Sequence, residues 1–76
     1  MYVIFFSDRL KTLRNKHKIN QTVLANLLNV SQRQISYYEN GKDTPPLPAL
    51  ITLADYFGVS LDYLVGRSDE AQSNRK

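Results

Sequence analysis

Positions 32, 33, 36 and 37 of this 76-residue chain hold Gln32, Arg33, Ser36 and Tyr37, four side chains that donate or accept hydrogen bonds. On a helix, their spacings of one, three and four set them on one surface, with Ile35 and Tyr38 turned the other way. The chemistry this suits is recognition of a partner's polar edges; the plainer alternative is the solvated face of an interaction domain. Bond-breaking chemistry has little to work with. There is no cysteine, so no disulfide, thiolate metal site or thiol nucleophile, and the single histidine, His17, cannot build a metal cluster. No glycine-rich phosphate loop and no carboxylate cluster in an apolar setting occurs. The expectation is a binding protein without cofactor or metal, not an enzyme.

Charge narrows the partner. Residues 1–42 carry seven bases (Arg9, Lys11, Arg14, Lys16, Lys18, Arg33, Lys42) against two acids (Asp8, Glu39), a net +5. Residues 43–76 carry three bases against five acids, a net −2. A polyanion facing the first half fits this split, and so does the ordinary solvated surface of a small basic protein. The apolar run Met1 to Phe6 is far shorter than the roughly 20 residues needed to span a bilayer, and no basic segment precedes it. A cytoplasmic protein with no membrane partner is expected.

Positioning these residues requires helices. Ser7 followed by Asp8 reads as a cap for a first helix over 8–17, with Leu10, Leu13 and His17 as its inner stripe. Asn20 caps a second helix buried through Leu24, Leu27 and Leu28, with Ala25 kept small. Asn29 tolerates the left-handed turn that closes it, Val30 supplies the contact beyond, and Ser31 caps a third, short helix from Gln32 to Asn40, stopped by Gly41. Prolines 45, 46 and 48 allow a fourth helix over 47–57, buried by Leu47, Leu50, Ile51, Leu53, Ala54 and Phe57. Gly58, Val59 and Ser60 repeat the Asn29 corner and open a short fifth helix with Leu61, Leu64 and Val65. The only segment that could read as a strand is Tyr2 to Phe6. The organisation expected is an apolar arm over 1–6, a helical domain over 7–66 and a polar, mobile tail over 67–76.

Two helices joined by a tight corner, the second short and polar, have the layout of a helix-turn-helix over Gln21 to Asn40. Here the chain resembles the phage Cro and repressor type of helix-turn-helix regulators, the xenobiotic-response-element family of bacteria. The resemblance is carried by Leu13-Arg14, Asn20-Gln21, Leu24-Ala25, Val30-Ser31, Ile35, Tyr38-Glu39-Asn40-Gly41-Lys42, Leu53-Ala54 and Phe57 to Leu64, and it covers residues 7–66. It implies an all-α, compact five-helix lambda-repressor-like domain, with the third helix entering the major groove of DNA.

On that resemblance Gln32, Arg33, Ser36 and Tyr37 are the base-contacting residues. Glutamine can bond an adenine in two places and arginine a guanine, whereas Ser36 is short and Tyr37 can meet a thymine methyl or a phosphate. Gln34 lies towards the flank. The resemblance further implies phosphate contacts from Gln21, Asn40 and Lys42, with Gln21 also bracing Gln32, and an ion pair between Arg14 and Glu39 that ties the first helix to the end of the third. Arg9, Lys11, Lys16 and Lys18 are weaker phosphate candidates.

The chain departs from the family pattern in two places. Its loop from Asp43 to Pro46 offers an acid and prolines where many relatives have bases, and its start, Tyr2 to Phe6, is unusually apolar. Five exposed apolar residues need a cover, from a strand pairing with a second copy or from packing on the fourth or fifth helix. Leu61, Tyr63, Leu64 and Val65 offer another dimer surface. The function implied is a repressor of phage or mobile-element type that binds an inverted-repeat operator as a homodimer and is open to a protein antagonist. An antitoxin, a restriction controller, or an interaction module that has lost DNA binding are the alternatives on the same fold.

Overall fold

The computed structural model describes the backbone of residues 2–69 and the side chains of residues 6–69. Five helices follow one another: α1 over Tyr2–Lys16, α2 over Gln21–Leu28, α3 over Gln32–Glu39, α4 over Leu47–Phe57 and α5 over Leu61–Leu64. Among the described residues there is no strand, and no helix is long and apolar enough to cross a membrane. The expected mobility of the tail from residue 70 onward lies outside the described residues.

The first helix differs most from the sequence expectation. It starts at Tyr2 instead of Asp8, and Ser7 is a buried residue inside it, not its cap. The reason is periodic: Phe6, Leu10 and Leu13 recur at four and three, so the helical stripe runs back into a segment whose aromatic and β-branched residues suggest a strand. Phe6 is 2% exposed and belongs to the core. A strand over Tyr2 to Phe6 is therefore corrected to the opening turns of α1.

Around Phe6, Leu10 and Leu13 the core gathers Leu24 and Ala25 of α2, Ile35 and Tyr38 of α3, Leu53, Ala54 and Phe57 of α4, and Leu64 of α5. Helix α1 packs against both α3 and α5, α2 against α3, and α4 against α5. The stripes are narrower than expected. Leu27 is 36% exposed, and Leu47 and Ile51, one turn apart on α4, are 57% and 44% exposed, because α4 meets the core through Leu50, Leu53, Ala54 and Phe57 instead. His17 is exposed just beyond α1, although its ring sits 5.0 Å from that of Phe57. The supposed dimer surface on α5 is largely engaged within the chain: Leu64 is fully buried, and Leu61 and Tyr63 pack on the core.

Every helix ends in the same way. A residue of positive φ (Lys18, Asn29, Gly41, Gly58 and Gly66) reverses the chain. The next amide then reaches back five residues to a helical carbonyl: Ile19 to Arg14, Val30 to Ala25, Lys42 to Tyr37, Val59 to Ala54 and Arg67 to Asp62, at 2.8–3.2 Å. This closure satisfies carbonyls that a helix end would otherwise leave open. Three side-chain caps, Asn20 to the Val23 amide, Ser31 to Gln34 and Ser60 to Tyr63, restart the chain after the turns. Asn is at ease in the left-handed region, but lysine is not.

Two predictions follow from this geometry. Lys18, at φ 58°, holds a conformation that costs an ordinary side chain about 1 kcal/mol. Lys18→Gly should raise the thermal midpoint by roughly 4–8 °C per kcal/mol gained in a domain of this size. Phe6→Ala should destabilise by about 3–5 kcal/mol, as for other buried aromatics; a loss below 1 kcal/mol in denaturant titration would separate the first turns of α1 from the core.

Candidate nucleic-acid interface

Helices α2 and α3 meet at the corner Asn29-Val30-Ser31. Asn29 takes φ 58° and ψ 46°, Val30 packs on the core, and Ser31 accepts the Gln34 amide at 3.1 Å. With the corner fixed, the fully buried Ile35, the 5%-exposed Tyr38 and Glu39 set the rotation of α3. Its opposite side is left to Gln32 and Arg33, which are exposed, and to Ser36 and Tyr37, which are half-buried. The four residues expected to share an outward surface lie on that side of α3.

Glu39 is the buried acid of this helix, with its side chain 3% exposed. Arg14, reaching from α1, donates from Nε to Glu39 Oε2 at 2.5 Å and from Nη2 to Oε1 at 3.2 Å, while its Nη1 holds the Ile19 carbonyl at 3.1 Å. Such a two-pronged arginine–carboxylate pair fixes direction as well as distance. Gln21, at the start of α2, donates from Nε2 to the same Oε1 at 3.1 Å. Its Oε1 in turn accepts from Gln32 Nε2 at 3.3 Å. One chain of hydrogen bonds thus runs from α1 through Glu39 and Gln21 to the first residue of α3. The expected ion pair and the expected brace on Gln32 are parts of a single network.

The remaining candidates meet in pairs. Asn40 donates from Nδ2 to Ser36 Oγ at 3.3 Å. The Tyr37 ring lies between two cations in sequence, Arg33 at 6.0 Å and Lys42 at 5.9 Å from its centre. Each residue assigned to base contact therefore sits beside one assigned to phosphate contact or shares a ring with it: Gln32 with Gln21, Ser36 with Asn40, Arg33 and Tyr37 with Lys42.

Two arrangements were missed from sequence. Gln34, assigned to the flank, donates from Nε2 to Asp43 Oδ2 at 2.8 Å, while Asp43 Oδ1 accepts the Thr44 amide at 2.8 Å. The acid in this loop is an anchor between the end of the turn and α3. The signal was available in Asp43-Thr44-Pro45, since aspartate readily accepts the next backbone amides in a turn. Arg9 is the second. Its guanidinium lies 3.9 Å from the centre of the Tyr63 ring, donates to the Tyr63 carbonyl at 2.9 Å and the Ser68 carbonyl at 3.4 Å, and pairs with Asp69 at 3.6 Å. Arg9 fastens α1 to the exit of α5, so it is withdrawn from the phosphate candidates; Lys11, Lys16 and Lys18 are exposed.

The sequence pattern of the helix-turn-helix family matches residues 10–64. The regulator AnsR of Bacillus subtilis is 38% identical over 66 residues, which cover 87% of this chain and 57% of that protein. A transcriptional regulator from Listeria innocua superposes with a TM-score of 0.80 at 38% identity, covering 91% of this chain and 64% of that one. The P22 c2 repressor, solved in complex with a synthetic operator, superposes with a TM-score of 0.75 at 30% identity, covering 83% of this chain and 96% of that one. The chain spans little more than half the length of these curated relatives, 58% of the regulator YobD of Bacillus subtilis and 57% of AnsR.

Removing Arg14 tests the network. Arg14→Ala leaves the Glu39 carboxylate buried without its counter-charge and should cost about 3–5 kcal/mol of stability. Arg14→Met combined with Glu39→Met should recover most of that loss, because apolar replacements of buried pairs are often neutral. Chemical denaturation of the two variants checks both outcomes. Helix order, corner geometry, the Arg14–Glu39–Gln21–Gln32 network and the matched residues together place this chain in the Cro and repressor type of the helix-turn-helix family of transcriptional regulators.

Proposed function

We propose that the chain is a sequence-specific DNA-binding module of a transcriptional regulator, a repressor that grips an inverted-repeat operator as a homodimer and works by occupying the promoter, without covalent chemistry. The observation that carries this reading is the held orientation of Gln32. Its Nε2 bonds Gln21, which in turn bonds Glu39. A carboxylate only accepts, so the Gln21 amide must turn its nitrogen to Glu39 and its oxygen to Gln32. Gln32 then presents its own oxygen and a second Nε2 hydrogen outward, the acceptor and donor that an adenine edge takes.

The neighbouring groups fit the same role. Arg33 is exposed beside Gln32 and suits a guanine. Gln21 has both polar ends engaged within the protein, so its phosphate contact falls to the second Nε2 hydrogen and to the backbone amide at the start of α2. Lys42 and Asn40 follow α3 and hold the adjoining backbone. Two copies side by side suit the spacing of half-sites: the domain measures 33 × 24 × 22 Å, against about 34 Å between successive major grooves.

Selection of bound duplexes from a random pool at near-physiological salt tests the reading. The expected result is a palindromic consensus with half-sites one helical turn apart. Arg33→Ala should cost about 1–3 kcal/mol and relax preference at one base pair, while Lys42→Ala should weaken binding to every sequence and lower the salt slope by about one. No enrichment, or equal effects of both substitutions on selected and random duplexes, would overturn the assigned roles.

A further inference from the structure

We propose that the Tyr37 ring is a platform that positions Arg33 and Lys42 together, so that one side chain sets both the base preference of the first and the phosphate grip of the second. This inference rests on the DNA-binding reading and gives Tyr37 a positioning part in it, in place of the base contact expected from sequence.

Local geometry brings the three groups together from two directions. Arg33 and Tyr37 are one turn apart on α3, which sets the guanidinium carbon 6.0 Å from the ring centre. Lys42 arrives from beyond the helix end. Gly41, at φ 75°, turns the chain so that the Lys42 amide donates to the Tyr37 carbonyl at 2.9 Å, and the Lys42 ammonium then lies 5.9 Å from the same ring. The same residue that receives the backbone closure thus receives the side chain.

Energetics favours an ordering role. Arginine and lysine are long and rotamer-rich, so fixing either at an interface costs side-chain entropy. Both are exposed, and among the described residues neither has a carboxylate within ion-pair distance. The acids nearest in sequence are engaged elsewhere: Asp43 is bonded to Gln34 and the Thr44 amide, and Glu39 to Arg14 and Gln21. The aromatic ring, half-buried and restricted to two torsions, attracts both cations through its electron-rich faces.

The test compares Tyr37→Phe and Tyr37→Leu, alone and combined with Arg33→Ala or Lys42→Ala. Each is titrated with the selected duplex and a random duplex over a range of salt. Tyr37→Phe keeps the ring and should stay within about twofold of the parent, since a factor of two is under 0.5 kcal/mol. Tyr37→Leu removes two exposed cation–ring contacts and should weaken the selected duplex by roughly 5- to 30-fold, with a shallower salt slope. In the leucine background, Arg33→Ala and Lys42→Ala should each have a smaller effect than in the parent. Equal losses for phenylalanine and leucine would assign the role to the hydroxyl and overturn the platform, as would unchanged effects of Arg33→Ala and Lys42→Ala in the leucine background. Thermal unfolding of Tyr37→Leu identifies a folding defect, in which case the phenylalanine comparison and proton NMR decide. Side-chain protons of Arg33 and Lys42 in the free protein should be shifted by the ring current and lose that shift in Tyr37→Leu; no shift overturns the platform without DNA. A parent protein that fails to distinguish selected from random duplex would refute the functional reading itself, while the ring-current shifts still decide the geometry.

Discussion

Glu39 is a carboxylate taken out of water by the packing of α3 on α1, and most of what surrounds it follows from its need for donors. An unpaired buried charge is too costly to persist, so Arg14 must come to it from another helix, and that demand fixes the distance and tilt between α1 and α3. A carboxylate also has polarity. It can only accept, and each amide that joins the chain is turned by the one before it, as far as Gln32 on the outer surface. A buried charge near the end of α3 thereby orients a side chain at its beginning. Apolar residues in the same places would pack as well, but would transmit no direction.

The second organising constraint is the way the helices stop. Five left-handed residues with five backward-reaching amides make each end a local decision, independent of the core. The core then selects rotation: the buried Ile35 and Tyr38 turn α3, just as Phe6, Leu10 and Leu13 turn α1. Arg9 performs a similar service from the middle of α1, where its stacking on Tyr63 and its bonds to the Tyr63 and Ser68 carbonyls hold the last helix in place.

Much of this was legible in the residues, because the signals are local. Asn20, Ser31 and Ser60 cap where caps are needed, and Asn29, Gly41 and Gly58 turn where helices end, so α2, α3 and α4 fall where their sequences indicate. The pairing of Arg14 with Glu39 came through resemblance, since nothing in a spacing of 25 residues announces it. What escaped is of two kinds. The start of α1 was obscured by a conflict between strand propensity and helical period, which the burial of Phe6 decides. The bonds of Gln34 to Asp43 and of Arg9 to the exit of α5 join residues distant along the chain, and a charge or an amide in a sequence does not say which distant carbonyl or carboxylate will accept it.

The corner between α2 and α3 has one further consequence. Asn29, Val30 and Ser31 each have a separate task there: to reverse the chain, to pack on the core and to cap the next helix. No residue in the corner is spare. One residue added or removed within the first turn of α3 would rotate everything before it by about 100° relative to Ile35 and Tyr38. Gln32 would swing away from Gln21, and the outward face would be dismantled as a unit. Change in this surface must therefore proceed by exchange of side chains at fixed positions, which makes the backbone from Gln21 to Lys42 a constant frame on which different readouts can be written.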